Sequence, residues 1–197
     1  MKRLSLYLFL ILFTLQTPSQ ADDIRDFQIE GMSIGDSLLD YFSEKEINNN
    51  KKYFYNNNKF ISFSSDKSTF KTYDLVQFHY KDKDKKYKIH SLSGTLLFDN
   101  NIKNCLKKKD EIVKELSEIF NNQTKIKDFG TYSHSYDKSG KSKVTVVWFY
   151  FNNGDSTNVT CEDWSKKITE KKGYTDRLKV NLRTKELNIF IRNEAYK

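Results

Sequence analysis

Two cysteines, three histidines and a run of lysines are the residues of this 197-residue chain whose types could carry chemistry. Cys105 and Cys161 are the only thiols. Catalytic dithiols usually sit close together in sequence, as in Cys-x-x-Cys, and this pair does not. An even count in an exported chain points to one structural disulfide, with two buried free thiols or a redox pair as the alternatives. His79, His90 and His134 form no His-x-x-x-His or His-x-His pair. A metal would need carboxylates or a third imidazole at the right distance, so no metal or cofactor is expected. Gly-x-Ser-x-Gly, a Gly-rich phosphate loop and His-Glu-x-x-His are all missing, and no catalytic residue is assigned. Ser91-Leu92-Ser93-Gly94 suits a strand whose glycine permits a bulge or close packing. Asp82 and Asp84 begin like a calcium loop, but the intervening lysines and the missing Gly and terminal Glu leave a solvated hairpin tip.

Lys103, Lys107, Lys108 and Lys109 open a strongly periodic segment, and Glu111, Glu115 and Glu118 come later. A helix dipole prefers the reverse order. A positive helix end with added lysines is a candidate anion site. The plain alternative is a solvated surface whose small unfavourable terms are screened by salt.

The elements that must position these groups follow from periodicity. Gly31-Met32-Ser33-Ile34-Gly35-Asp36 opens a first helix, capped by Ser33 with Asp36 as partner, and Ile34, Leu38 and Phe42 form its stripe. That helix fades near Glu44 to Ile47. Phe60 to Phe63, Tyr73 to Tyr80 and Tyr87 to Phe98 form a meander. Ile102, Cys105, Leu106, Ile112, Val113, Leu116, Ile119 and Phe120 fall on one face of the best helix, capped by Asp99, Asn100 or Asn101. A second meander runs through Phe129 to Tyr136, Lys143 to Phe151 and Thr157 to Trp164. Val144 to Phe151 is apolar on both parities, which predicts a central strand covered on both faces. Arg177 to Leu182 adds a strand, and Thr184 opens a final amphipathic helix through Leu187, Phe190, Ile191 and Ala195. The expected class is α+β: antiparallel meanders with amphipathic helices on one face, and a possible internal repeat of a helix plus three strands.

Met1-Lys2-Arg3, the apolar run Leu4 to Leu15 and the polar stretch ending at Ala21 have the layout of a secretory signal peptide. The expected mature chain is one domain, residues 22–197, periplasmic or secreted, with no transmembrane segment after cleavage. The only proline is Pro18, so no proline-rich linker divides that domain. The net charge is +8, yet only Arg3, Arg25, Arg177, Arg183 and Arg192 among the 34 basic residues are arginine. Nucleic-acid binders favour arginine for bidentate contacts, so nucleic acid is not expected as a partner. Weak attraction to an anionic membrane surface stays open.

Ile29 to Leu39, with its Gly-Met-Ser turn, resembles the opening of BamE/SmpA-like modules, where such a turn starts a helix packed on a small antiparallel sheet. The chain departs from them in lacking the lipid-attachment cysteine and the Leu-Gly-x-Pro that closes their helix. The stretches Ala21 to Phe27, Asn104 to Lys109 and Cys161 to Ser165 are similar to small uncharacterised exported proteins of AT-rich Gram-negative bacteria, a resemblance that implies no activity. The expected function is a non-catalytic binding or interaction module that presents a sheet face or helix groove to an envelope protein partner. The alternative is a small-molecule or anion binder using Lys103, Lys107, Lys108 and Lys109.

Overall fold

Strand-forming segments with alternating burial dominate the chain. In the computed structural model, which describes residues 23–120 and 123–197, they form one eight-stranded sheet. The expected signal peptide, residues 1–21, lies outside the described residues. The strands are β1 (Lys51–Lys52), β2 (Phe60–Ser65), β3 (Leu75–Lys81), β4 (Ser91–Leu97), β5 (Thr124–Ser133), β6 (Lys143–Phe151), β7 (Ser156–Asp163) and β8 (Arg177–Arg183). Every neighbouring pair is antiparallel, in the order β1-β2-β3-β4-β8-β7-β6-β5. Two four-stranded meanders therefore meet where β4 pairs with β8. Among the described residues four α-helices accompany them: α1 (Glu44–Asn50), α2 (Ile102–Phe120), α3 (Lys166–Lys172) and α4 (Lys185–Asn193). The class is α+β, as the patterning predicts, but the helices do not share one face: α2 packs on the face of the main core, and α4 packs on Phe60, which shares the opposite face with Ser62 and His79.

Side chains alternate across a strand, so each strand divides its residues between two faces. In β8, Leu178, Val180 and Leu182 are buried on one face, and Arg177, Lys179, Asn181 and Arg183 occupy the other. The apolar face belongs to the main core. There α2 lies against β7 and β8, and its Phe120 ring meets Phe149 and Phe151 at 5.5 and 4.8 Å. The expected disulfide is present: Cys105 of α2 and Cys161 of β7 are bonded, with Cα atoms 6.0 Å apart and both side chains buried. Asn101 caps α2 through its Oδ1, which accepts from the Asn104 N–H at 3.2 Å. A second, smaller cluster joins α4 to the sheet, with Leu187, Phe190 and Ala195 on Phe60.

Several boundaries differ from the sequence reading. The helix expected from Ser33 is replaced by a turn, a 3-10 turn at Leu38–Asp40 and then α1. Ser33 and Asp36 do interact, the Ser33 N–H donating to Asp36 Oδ2 at 2.8 Å. Gly35 has φ +98°, however, and its N–H donates to Ile89 O, while Ile89 N–H donates to Asp36 O. Non-local pairing with residues 87–89 takes the backbone groups that a helix would use. Ile34, Leu38 and Phe42 still enter the core. The same pairing delays β4, which starts at Ser91 rather than Tyr87. β6 is not central: it lies next to the edge strand β5. Its double apolar parity has another cause. Val147, Phe149 and Phe151 face the core, and Val144, Val146 and Trp148 line a groove on the opposite side. β5 begins at Thr124 rather than Phe129, with a register shift between Asp128 and Thr131. α3 has no counterpart among the elements expected from periodicity, because its Lys-rich turns carry no apolar stripe.

Candidate functional site

The face of the sheet opposite α2 carries the least ordinary chemistry in the molecule. Register alone brings its residues together. Asn158 of β7 sits between Trp148 of β6 and Asn181 of β8. Arg183 lies between Ser156 and Ser91, and Ser91 pairs in turn with His79. The result is a groove of about 290 Å³ crossing β3, β4, β8, β7 and β6.

Its charges divide into two groups. Glu162, 7% exposed, accepts from Lys179 Nζ at 2.9 Å and from Arg177 Nε. Burial alone would raise its pKa, but the two cations and their hydrogen bonds hold the carboxyl below its ordinary value. Burial also pulls Lys179 below the ordinary lysine value, against the opposing pull of Glu162. Arg177 also lies over Trp164 and Tyr174, with Cζ 5.3 Å from each ring centre.

Arg183 is different. Among the described residues it has no carboxylate partner and no hydrogen bond from its guanidinium; its contact is the Trp148 ring, 5.2 Å away. Trp148 is stacked in turn on Tyr150, with ring centres 5.6 Å apart and planes 8° from parallel. Burial depresses the Arg183 pKa, opposed by Tyr55, Tyr196 and Tyr150.

Two neutral donors or acceptors are also unmatched. Asn158 is 2% exposed; its Oδ1 accepts from Thr160 and Asn181, each at 2.8 Å, and its Nδ2 has no partner. His79 Nε2 meets Tyr55 Oη at 3.2 Å, and its Nδ1 is buried without a partner. Burial, reinforced by Arg183, pushes the His79 pKa down to about 3, so the ring is neutral at ordinary pH. Buried polar atoms are normally satisfied, which makes these exceptions informative.

Aromatic residues stand at both ends of the groove. Tyr55 touches His79, Phe190 and Tyr196 at one end. At the other, Trp164 is surrounded by His134, Tyr136 and Tyr174. A carboxylate hub fixes this second end. Asp137 accepts from the N–H and Oγ of Ser139, the N–H and Oγ of Ser142, and Ser165 Oγ at the start of α3. The hydrogen bonds from Ser139 and Ser142 hold its pKa well below the ordinary range.

Of the lysines singled out by sequence, Lys103, Lys107 and Lys108 are exposed and Lys109 is not. Lys109 is buried, with Nζ 2.7 Å from Asp110, and Lys108 reaches Glu111 at 3.2 Å; Lys103 and Lys107 face solvent. His90 donates its backbone N–H to His79 O at 2.8 Å, but its ring lies against Phe60 and 3.7 Å from Glu186. Among the described residues, no group of three His, Cys, Asp or Glu is placed to hold a metal ion. A wider cleft of about 560 Å³ runs past Arg25, His90, Asp155 and Lys185, but its acids are matched. Asp155 accepts from the Lys185 N–H at 2.6 Å, and Glu186 pairs with Lys81 at 2.8 Å.

Sequence reasoning passed over Arg183, Asn158 and the setting of His79. The signal was present in β8, where Arg, Lys, Asn and Arg alternate with three aliphatic residues. Such a strand with pairing on both sides must gather its polar residues on one face, but only the strand order reveals which strands lie beside it. No described helix is long and apolar enough to cross a membrane. Compared with family models, with curated proteins and with solved structures, the chain matches none.

Proposed function

We propose that this protein is an exported, non-catalytic binding module and that it presents the polar face of its sheet to another component of the cell envelope. One observation carries the reading. The groove gathers an unpaired arginine and buried, unpartnered polar atoms of Asn158 and His79 on the face opposite α2. Leaving such groups unmatched costs about 1–3 kcal/mol each, and a ligand that matches them recovers that cost. The disulfide supports an oxidising compartment, since such bonds persist outside the cytosol. Intact mass of the protein from cells tests the export half: a chain starting at Asp22 and lighter by two protons than its reduced form supports it, and a retained leader overturns it.

The binding half is tested by retaining envelope components on the immobilised protein. Gln77→Trp fills the groove, and Lys107→Glu alters the exposed side of α2. A component held by the unsubstituted protein and by Lys107→Glu, but lost from Gln77→Trp, supports the reading. Equal retention by all three, or no retained component, overturns it.

A further inference from the structure

We infer that the groove takes a carboxylate attached to an aromatic or apolar body, with the carboxylate seated on Arg183 beside Asn158 and the body against Trp148 and Tyr150. The inference rests on the reading of this face as the recognition surface and adds the chemical class of what it recognises.

Arg183 sets the charge. The Arg183 guanidinium lies over the Trp148 ring, 5.2 Å from its centre, and the planar fork of N–H groups that any arginine carries is the geometry that a carboxylate meets bidentately. No acid of the chain answers it among the described residues: the groove's own carboxylate, Glu162, is taken by Lys179 and Arg177. Asn158 sets the second contact. Its Oδ1 is fixed by Thr160 and Asn181, which orients the amide and leaves Nδ2 as a free donor. Two register positions, one same-face step, separate the two residues, since Arg183 is opposite Ser156 and Asn181 is opposite Asn158. A monoanion suits the site better than a phosphate dianion, because a single cation is free and Glu162 lines the same groove. Trp148, which lines the groove, and the exposed Tyr150 stacked on it supply apolar ring surface next to that cation, suited to a ring or an aliphatic chain.

The test titrates the intact, oxidised protein with three probes and reads Trp148 fluorescence in a Trp164→Phe background. Phenylacetate carries the charge and the ring, phenylacetamide the ring alone, and inorganic phosphate an oxyanion alone. The expected result is a saturable change with phenylacetate and affinity at least about tenfold weaker for the other two. Arg183→Met abolishes the change, and Arg183→Lys, which keeps the charge without the fork, weakens it. Far-ultraviolet circular dichroism verifies that each variant is folded; if Arg183→Met fails to fold, Arg183→Lys and Asn158→Leu carry the test. Equal binding of phenylacetamide overturns the role of Arg183, and equal binding of phosphate overturns the aromatic-body assignment. No saturable change with any probe overturns the inference while leaving the retention experiment free to support the binding face.

Discussion

Breaking the Cys105–Cys161 bond has a size that can be worked from chain length. The bridge spans 56 positions and ties α2 to β7 through two buried sulfurs. Closing a loop of that length in the unfolded chain gives about 4 kcal/mol of stabilisation on the chain-entropy model. Domains of this size lose roughly 2 kcal/mol of stability per molar urea. Reduction of the unsubstituted protein therefore lowers the urea midpoint by about 2 M. Cys105→Ala/Cys161→Ala shifts it at least as far, because a small void then forms beside Leu178, the cross-strand neighbour of Cys161 in the main cluster. Two probes are followed, circular dichroism for helix and sheet and tryptophan fluorescence for Trp148 and Trp164. A midpoint change below about 0.5 M on reduction would refute the loop-entropy account of what the bond contributes.

Other consequences follow from particular residues. His79 is neutral in the folded groove with its pKa pushed down to about 3, against about 6.5 when unfolded. The unfolded chain thus binds one more proton between those values, so stability falls as pH falls from 6.5, by at most about 1.4 kcal/mol per unit. His79→Gln removes that slope in denaturant melts between pH 6.5 and 5; an unchanged slope contradicts the assignment. A Cβ added at Gly94 would stand 2.6 Å from the Tyr73 ring, so Gly94→Ala costs about 1–3 kcal/mol, and the double variant with Tyr73→Ala recovers part of it in a thermodynamic cycle. Asp137 is held well below its ordinary pKa, so its contribution is present above about pH 3.8 and is lost as pH drops through its lowered value. Asp137→Asn lowers the melting temperature at pH 7 and flattens the acid limb, whereas identical melts would exclude the hub.

The sequence made the α+β architecture legible because its periods were clean. The steps of three and four in Ile102 to Phe120 matched α2 in both limits, and the β6 span Lys143 to Phe151 was likewise matched. Where local pattern failed, non-local pairing had taken over. Ser33 to Phe42 has a helical stripe, but Gly35, Asp36 and Leu38 bond to residues 87–89 instead. The groove was hidden for a related reason. Arg183, Asn158 and Trp148 lie far apart in the chain and become neighbours only because β8 turns back beside β4 on one side and β7 on the other. The lysines of α2 are conspicuous because they cluster in sequence; in the fold Lys109 is buried beside Asp110 and Lys108 pairs with Glu111.

The claim that the polar sheet face is the recognition surface is tested most directly by photo-crosslinking in the cell. A photoreactive residue is placed in turn at Gln77 and Tyr132, which line the groove, and at Lys107 and Glu118, on the exposed side of α2. Intact mass of the recovered protein registers small and large adducts alike. The account predicts the same adduct from Gln77 and Tyr132 and none from Lys107 or Glu118. Adducts formed from α2 alone, or equally from all four positions, would contradict it.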